Sequence, residues 1–205
     1  VRTLAIDSAT EACSVALFDD GKLLAGELRM IGRGHAEQLV PMIATLPGKG
    51  KADRIVVSLG PGSFTGIRIG LATARALALA WRVEAWGYPT MALIAAMARK
   101  QTCAQPVSAC ITGGHGQWFV QDFTADGSQA SPLASLDPAD ALAVAAGCVA
   151  GSQAEALVAR RGHGTALSLW PDARAFPLLS PDILVPARQP IYGRQPDARL
   201  PGAGH

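Results

Sequence analysis

The chain has 205 residues, which allows one large domain or two small ones, and 49% hydrophobic content supports a sizeable core. Aromatics make up only 5%, so that core is built from Ala, Val, Leu and Ile. The net charge of +2 divides into +4 over residues 1–100 and −2 over the rest, with no dense basic cluster interleaved with aromatics. This argues against autonomous RNA binding. No uncharged apolar run reaches the roughly 18 residues of a membrane span. The first residues alternate like a strand rather than forming a secretory leader. Four cysteines, at 13, 103, 110 and 148, form no C-x-x-C pair. Together these features point to a reducing, cytoplasmic setting without membrane contact.

In chain order, residues 2–7 read as an apolar strand and 12–19 as a second. Asp19-Asp20-Gly21 forms a hairpin turn into a third strand over 22–30. A helix over 35–46 carries Leu39, Met42, Ile43 and Leu46 at i, i+3, i+4, i+7, and Pro41 inside it should bend it. Residues 47–51 are a loop and 54–59 a strand. A helix runs from Thr65 to Trp81, a strand over 83–87, and a helix from Pro89 to Lys100. Residues 101–106 read as an interdomain connection, followed by a hairpin of 107–111 with 118–123. Asp137-Pro138 starts a helix ending near Gly147, 148–150 is a short strand, and 152–160 another helix. The tail from Pro186 is rich in proline and glycine and is expected to be mobile.

The densest signal is Leu59-Gly60-Pro61-Gly62-Ser63-Phe64-Thr65-Gly66-Ile67-Arg68-Ile69-Gly70, joining a strand to a helix. Glycines there let the backbone approach either a phosphate or a neighbouring element. The run lacks the lysine of a P-loop and does not read G-x-G-x-x-G. The first turn, with Asp7, Ser8 and Thr10, resembles that of actin-like ATPases, which implies contact with a Mg-nucleotide; a turn that bonds its own backbone is the plainer reading. Gly62 and Ser63 are the matching candidates on the glycine-rich loop. The histidines, at 35, 115, 163 and 205, are nowhere four apart, so an H-x-x-x-H metal site is not expected. Gly62-Ser63-Phe64 is not G-x-S-x-G, and no Ser/His/Asp set accompanies it.

The opening Thr3–Leu17 segment, His35–Ile43, the G-P-G-S-F-T-G-I-R-I-G run and the closing Pro190-Ile191-Tyr192-Gly193-Arg194 together resemble the TsaB (YeaZ) family. The likeness is strong over 1–100, weak over 101–180, and returns near 190. It implies an actin-like (ASKHA, ribonuclease H-like) α/β fold of two unequal lobes, the second degenerate. The lobes are expected at 1–103 and 104–192, with a mobile tail over 193–205. It also implies a non-catalytic subunit without cofactor or metal, working in the synthesis of threonylcarbamoyladenosine in tRNA. The implied partners are the catalytic TsaD subunit, the ATPase TsaE, tRNA only through the complex, and a second copy of the chain when alone. A nucleotide-dependent ATPase or small-molecule kinase is the competing reading. Where relatives carry I-D-A-R, this chain has Ile111-Thr112-Gly113-Gly114, which puts the role of that Asp and Arg in doubt here.

Helix 65–81 is apolar almost all round, which marks a helix that is buried or meets a partner. Paired with helix 35–46, it can form a four-helix bundle with another chain. His35, Leu39, Met42, Ile43, Arg68, Leu71, Ala72, Arg75 and Leu79 are the expected partner-binding residues, the two arginines at the rim.

Overall fold

The computed structural model describes residues 1–102, 105–144 and 146–193. Ten strands and five helices follow in the order β1 (Arg2–Asp7), β2 (Ala12–Asp19), β3 (Lys22–Met30), α1 (His35–Thr45), β4 (Arg54–Ser58), α2 (Phe64–Trp81), β5 (Glu84–Tyr88), α3 (Thr90–Gln101), β6 (Val107–Thr112), β7 (Trp118–Phe123), β8 (Ala134–Leu136), α4 (Pro138–Val144), β9 (Cys148–Ala150), α5 (Ala154–Arg161) and β10 (Thr165–Leu167). A two-residue strand, β11 (Val185–Pro186), comes last, after 3-10 turns at Ala173–Leu178 and Pro181–Ile183.

The strands form two sheets, ordered β11-β5-β4-β1-β2-β3 and β10-β9-β6-β7-β8. Apart from β11, the second order repeats the first with every strand number raised by five. Each sheet pairs an antiparallel hairpin with parallel strands on the other side: β1 with β2 and β4, β6 with β7 and β9. This duplicated topology is the actin-like α/β arrangement.

Burial on both faces explains the near-continuous apolar reading of β1, β2 and β4. Leu4, Ile6, Val15, Leu17, Ile55 and Val57 point to one face, where Leu39, Met42, Ile43, Leu71, Ala74 and Ala78 of α1 and α2 cover them. Ala5, Ala16, Phe18 and Val56 point to the other, against Leu93 of α3 and the segment with Ala173 and Phe176. α3 is buried along most of its length because it serves both sheets. Met91, Ile94, Ala95 and Ala98 pack on Val107, Ala109, Ile111 and Phe119 of the second sheet. That sheet's far face carries Ala141 of α4 and Ala154 and Leu157 of α5.

The element order through residue 102 matches the sequence reading, with ends moving by one or two residues. α4 ends at Val144, earlier than expected. The expected lobe boundary at 103/104 lies outside the described residues, as does the tail beyond Gly193. The C-terminal part departs from expectation. Residues 186–192, read as mobile or as second-lobe chain, dock on the first sheet. Val185 and Pro186 pair with Gly87 and Trp86, Ala187 N donates to Ala85 O (3.0 Å), and Ile191 N donates to Leu59 O (2.7 Å). The 3-10 turn at 173–178 likewise packs on β1, β2, β3 and α3.

Candidate partner-binding face and the glycine-rich loop

The glycine-rich loop is packed against the β1–β2 turn. A side chain on Gly62 would fall on the Ala9 carbonyl, and one on Gly66 on the Ser8 carbonyl oxygen. Ser63 N donates to Ala9 O (2.7 Å), and Ser8 Oγ donates to Gly66 O (2.9 Å). Ser63 Oγ accepts from Gly66 N (3.2 Å) and caps α2. Of the two open readings of these glycines, close approach to a neighbouring element is the one seen.

The candidates at the first turn are turned inward in the same way. Asp7 has no exposed surface, and Ser8 and Thr10 have little. Asp7 Oδ1 accepts from Ala9 N (3.0 Å), and Thr10 Oγ1 accepts from Ala12 N (3.2 Å). Burial pushes the Asp7 carboxyl up to about 7, against the opposing pull of the Ala9 N–H and the Tyr88 and Ser58 hydroxyls. Asp7, Ser8, Thr10 and Ser63 are thus each hydrogen-bonded to the chain's own backbone, and Gly62 lies against the Ala9 carbonyl. On the second sheet, Gly113–Gly116 is the β6–β7 turn, closed by Gly113 N to Gln117 O (2.8 Å) and Gln117 N to Gly114 O (3.1 Å). Thr112 Oγ1 accepts from Gln153 Nε2 at 2.9 Å. Among the described residues, no three His, Cys, Asp or Glu side chains gather into a set fit to hold a metal ion. No described helix is long and apolar enough to cross a membrane.

The structure splits the expected partner-binding residues into two groups. Leu39 and Met42 have no exposed surface, and His35, Ile43 and Leu71 have almost none. His35 Nε2 donates to the Thr10 carbonyl at 2.9 Å, fixing the start of α1 on the first turn. These five side chains hold the chain's own core and cannot form the centre of a contact between chains, a correction to the sequence reading. The apolar stripe at i, i+3, i+4, i+7 faces the sheet. The neighbouring stripe is the one left open: Val40, Pro41 and Ala44 on α1, and Ala72, Ala76, Leu79 and Ala80 on α2. Leu79 is 82% exposed and Val40 54%, large values for aliphatic side chains. No periodicity in the sequence distinguishes a stripe that faces the sheet from one that faces another chain.

Arg68 and Arg75 also differ. The Arg68 guanidinium lies 4.8 Å over the ring of exposed Phe64, which stacks on Tyr192 at 5.3 Å. Arg75 is held by its own chain: Nε donates to Ala187 O (3.0 Å) and a terminal nitrogen to Arg188 O. Arg75→Ala should cost about 1–2 kcal/mol locally. Hydrogen exchange at the Ala187 and Ile191 amides should then quicken while that of β1 amides stays unchanged. Equal exchange in parent and variant would remove Arg75 as the anchor.

Fold and loop together define a protein of the actin-like class whose glycine-rich loop packs on its first turn. A 0.50 TM-score to the ethanolamine utilization protein EutJ of Carboxydothermus hydrogenoformans, at 11% identity over 87% of this chain and 88% of that one, matches at the level of fold. The family model described as TsaD, tRNA N6-adenosine threonylcarbamoyltransferase, matches residues 29–166. The tRNA threonylcarbamoyladenosine biosynthesis protein TsaB of Escherichia coli is 37% identical over 131 residues, 62% of this chain and 56% of that protein. The chain thus spans about half the length of the curated relatives it matches. YeaZ from Pseudomonas aeruginosa superposes with a TM-score of 0.78 at 28% identity, covering 93% of this chain and 99% of that one. The chain belongs to the TsaB/YeaZ family.

Proposed function

We propose that the chain is a non-catalytic subunit of the machinery that makes threonylcarbamoyladenosine in tRNA, and that it binds and activates the catalytic TsaD subunit through the open face of α1 and α2. The name of its E. coli relative supports the pathway. The observation that carries the binding role is the face of Val40, Ala72, Ala76 and Leu79, with Phe64 at its end, left exposed among the described residues. Small residues on both helices allow close approach of two further helices. Two helices of three to five turns can supply the roughly 800 Å² per partner that a specific complex buries. In this reading TsaE joins the complex, tRNA is met only through it, and a second copy of the chain takes the face when TsaD is missing. The ATPase or kinase reading would need a nucleotide to reach Asp7, which is buried, and a glycine-rich loop that packs on the β1–β2 turn.

Ala72→Glu places a carboxylate at the centre of the face without touching the core. Association with TsaD should weaken by about 2 kcal/mol or more, roughly thirty-fold. Analytical ultracentrifugation and a tRNA modification assay with the partner read both consequences. A folded variant that pairs and supports modification as the parent does would place the interface elsewhere.

A further inference from the structure

Asp7 is a buried carboxyl group, and among the described residues no cation is paired with it. It stands at the end of β1, where two chain crossings between the sheets meet. The first crossing is α3, whose initial residue Thr90 holds Ser58 of β4 through their hydroxyls (2.6 Å) and donates its amide to Gly60 O (2.8 Å). The second is the return from β10. It is tied where Ser14, the register partner of Asp7, donates to Pro171 O (3.1 Å) and accepts from Ala173 N (2.9 Å).

The proton count at Tyr88 is informative. Its hydroxyl oxygen lies 3.1 Å from Ile6 O and 3.2 Å from Asp7 Oδ2, yet it has one hydrogen to give. A neutral Asp7 satisfies both contacts: the carboxyl O–H donates to Tyr88, and Tyr88 donates to Ile6 O. An ionised Asp7 takes the Tyr88 hydrogen for itself, and Ile6 O loses that donor. The carboxylate also stays desolvated, since opening is its only route to water. We propose that Asp7 is a proton-operated latch on the joint between the two sheets, closed when its carboxyl is neutral and loosened when the proton leaves to solvent.

Of the groups facing Asp7, burial and the Asp172 charge favour its neutral form, and they outweigh the Ala9 amide and the Tyr88 and Ser58 hydroxyls, which favour the anion. β5 offers Tyr88, whose own acidity burial suppresses. β2 offers Cys13, held as a thiol with its pKa raised to about 12, with Glu27 and Arg29 of β3 among the charges acting on it. The 3-10 segment offers Asp172, a like charge that disfavours a second anion. β4 and α3 contribute the uncharged Ser58 and Thr90, α2 meets the turn through Gly66 and Gly70, and His35 of α1 is engaged with the Thr10 carbonyl.

In the closed state Asp7 holds its proton up to about pH 7, and in an opened state only to the ordinary carboxylate value near 4. The closed state therefore binds more protons between those limits. Opening should rise by up to about tenfold per pH unit from pH 5 to 7 and level off above.

The test is hydrogen exchange of the Thr90 and Ala173 amides in the full chain, corrected for intrinsic base catalysis, alongside carbon-13 NMR of the Asp7 carboxyl. The expected result is a carboxyl midpoint near 7, with the rise in amide opening following it. In Asp7→Asn that rise should vanish. In Tyr88→Phe the proton loses its acceptor, so opening at pH 5 should approach the parent's level at pH 7. The Phe variant keeps the test decisive if the Asn variant does not fold. An Asp7 midpoint below 5, or the same pH dependence in parent and variants, would overturn the latch.

Discussion

Gly62→Val and Gly66→Val are each expected to unfold the first sheet and its helices rather than to alter the binding of any ligand. The new side chain would meet main chain: the Ala9 carbonyl in one case, the Ser8 carbonyl oxygen in the other. A flexible side chain could move aside, but these carbonyls belong to the turn joining two central strands. Moving them breaks the Ser63 N to Ala9 O and Ser8 Oγ to Gly66 O bonds. It also shifts Asp7, which is hydrogen-bonded to Ala9 N. Forcing extra methyl groups into a packed site commonly costs about 1–3 kcal/mol, and backbone obstruction with buried polar groups left unpaired adds to it. Against a total stability of about 5–15 kcal/mol, the sum removes much or all of the folded population at 37 °C. Thermal melting followed by far-UV circular dichroism measures this directly. A Gly62→Val chain that melts with the parent but loses nucleotide binding would show that the loop serves a ligand after all.

The sequence made the first hundred residues legible because their signals are local. Strands β1, β2 and β4 are apolar runs bounded by turn residues, and α1 shows a single stripe. The glycine-rich join announces itself by composition. What α1 and α2 do with their apolar residues was not legible. Leu39, Met42 and Ile43 look the same whether they face the chain's own sheet or a neighbour's helix, and only the position of the sheet decides. Asp7 was readable as a turn residue, whereas its full burial depends on Tyr88, Ser58 and the 171–173 segment, which are far off in sequence. The C-terminal part hid for the same reason. β11 is two residues long and contains a proline, so it has no period to detect, and it lies in the first sheet only because β5 offers it an edge. Tyr192 and Phe64 stack although they lie 128 positions apart in the chain.

Phe176→Ala is expected to cost about 3–5 kcal/mol, although residue 176 lies in the stretch that sequence alone assigns to the second lobe. Its ring sits 6.1 Å from that of Phe18 in β2 and 6.2 Å from that of Tyr88 in β5. With Phe18 and Tyr88 it supplies the aromatic rings of the buried cluster formed with Ala5, Ala16, Val56, Leu93 and Ala173. Several of these neighbours are alanines on rigid strands, so they cannot swing in to fill the space. A cavity left by a benzyl group therefore stays largely open, which places the cost toward the upper end of the range. For a chain of this length, 1 kcal/mol corresponds to about 2–4 °C, so melting should fall by roughly 10 °C or more. The loss should be felt in the first sheet, and amide exchange in β1 and β2 should accelerate along with that of residues 173–179. If the variant melted within a degree or two of the parent, or only the amides of β6–β10 lost protection, the 173–178 turn would belong energetically to the second sheet.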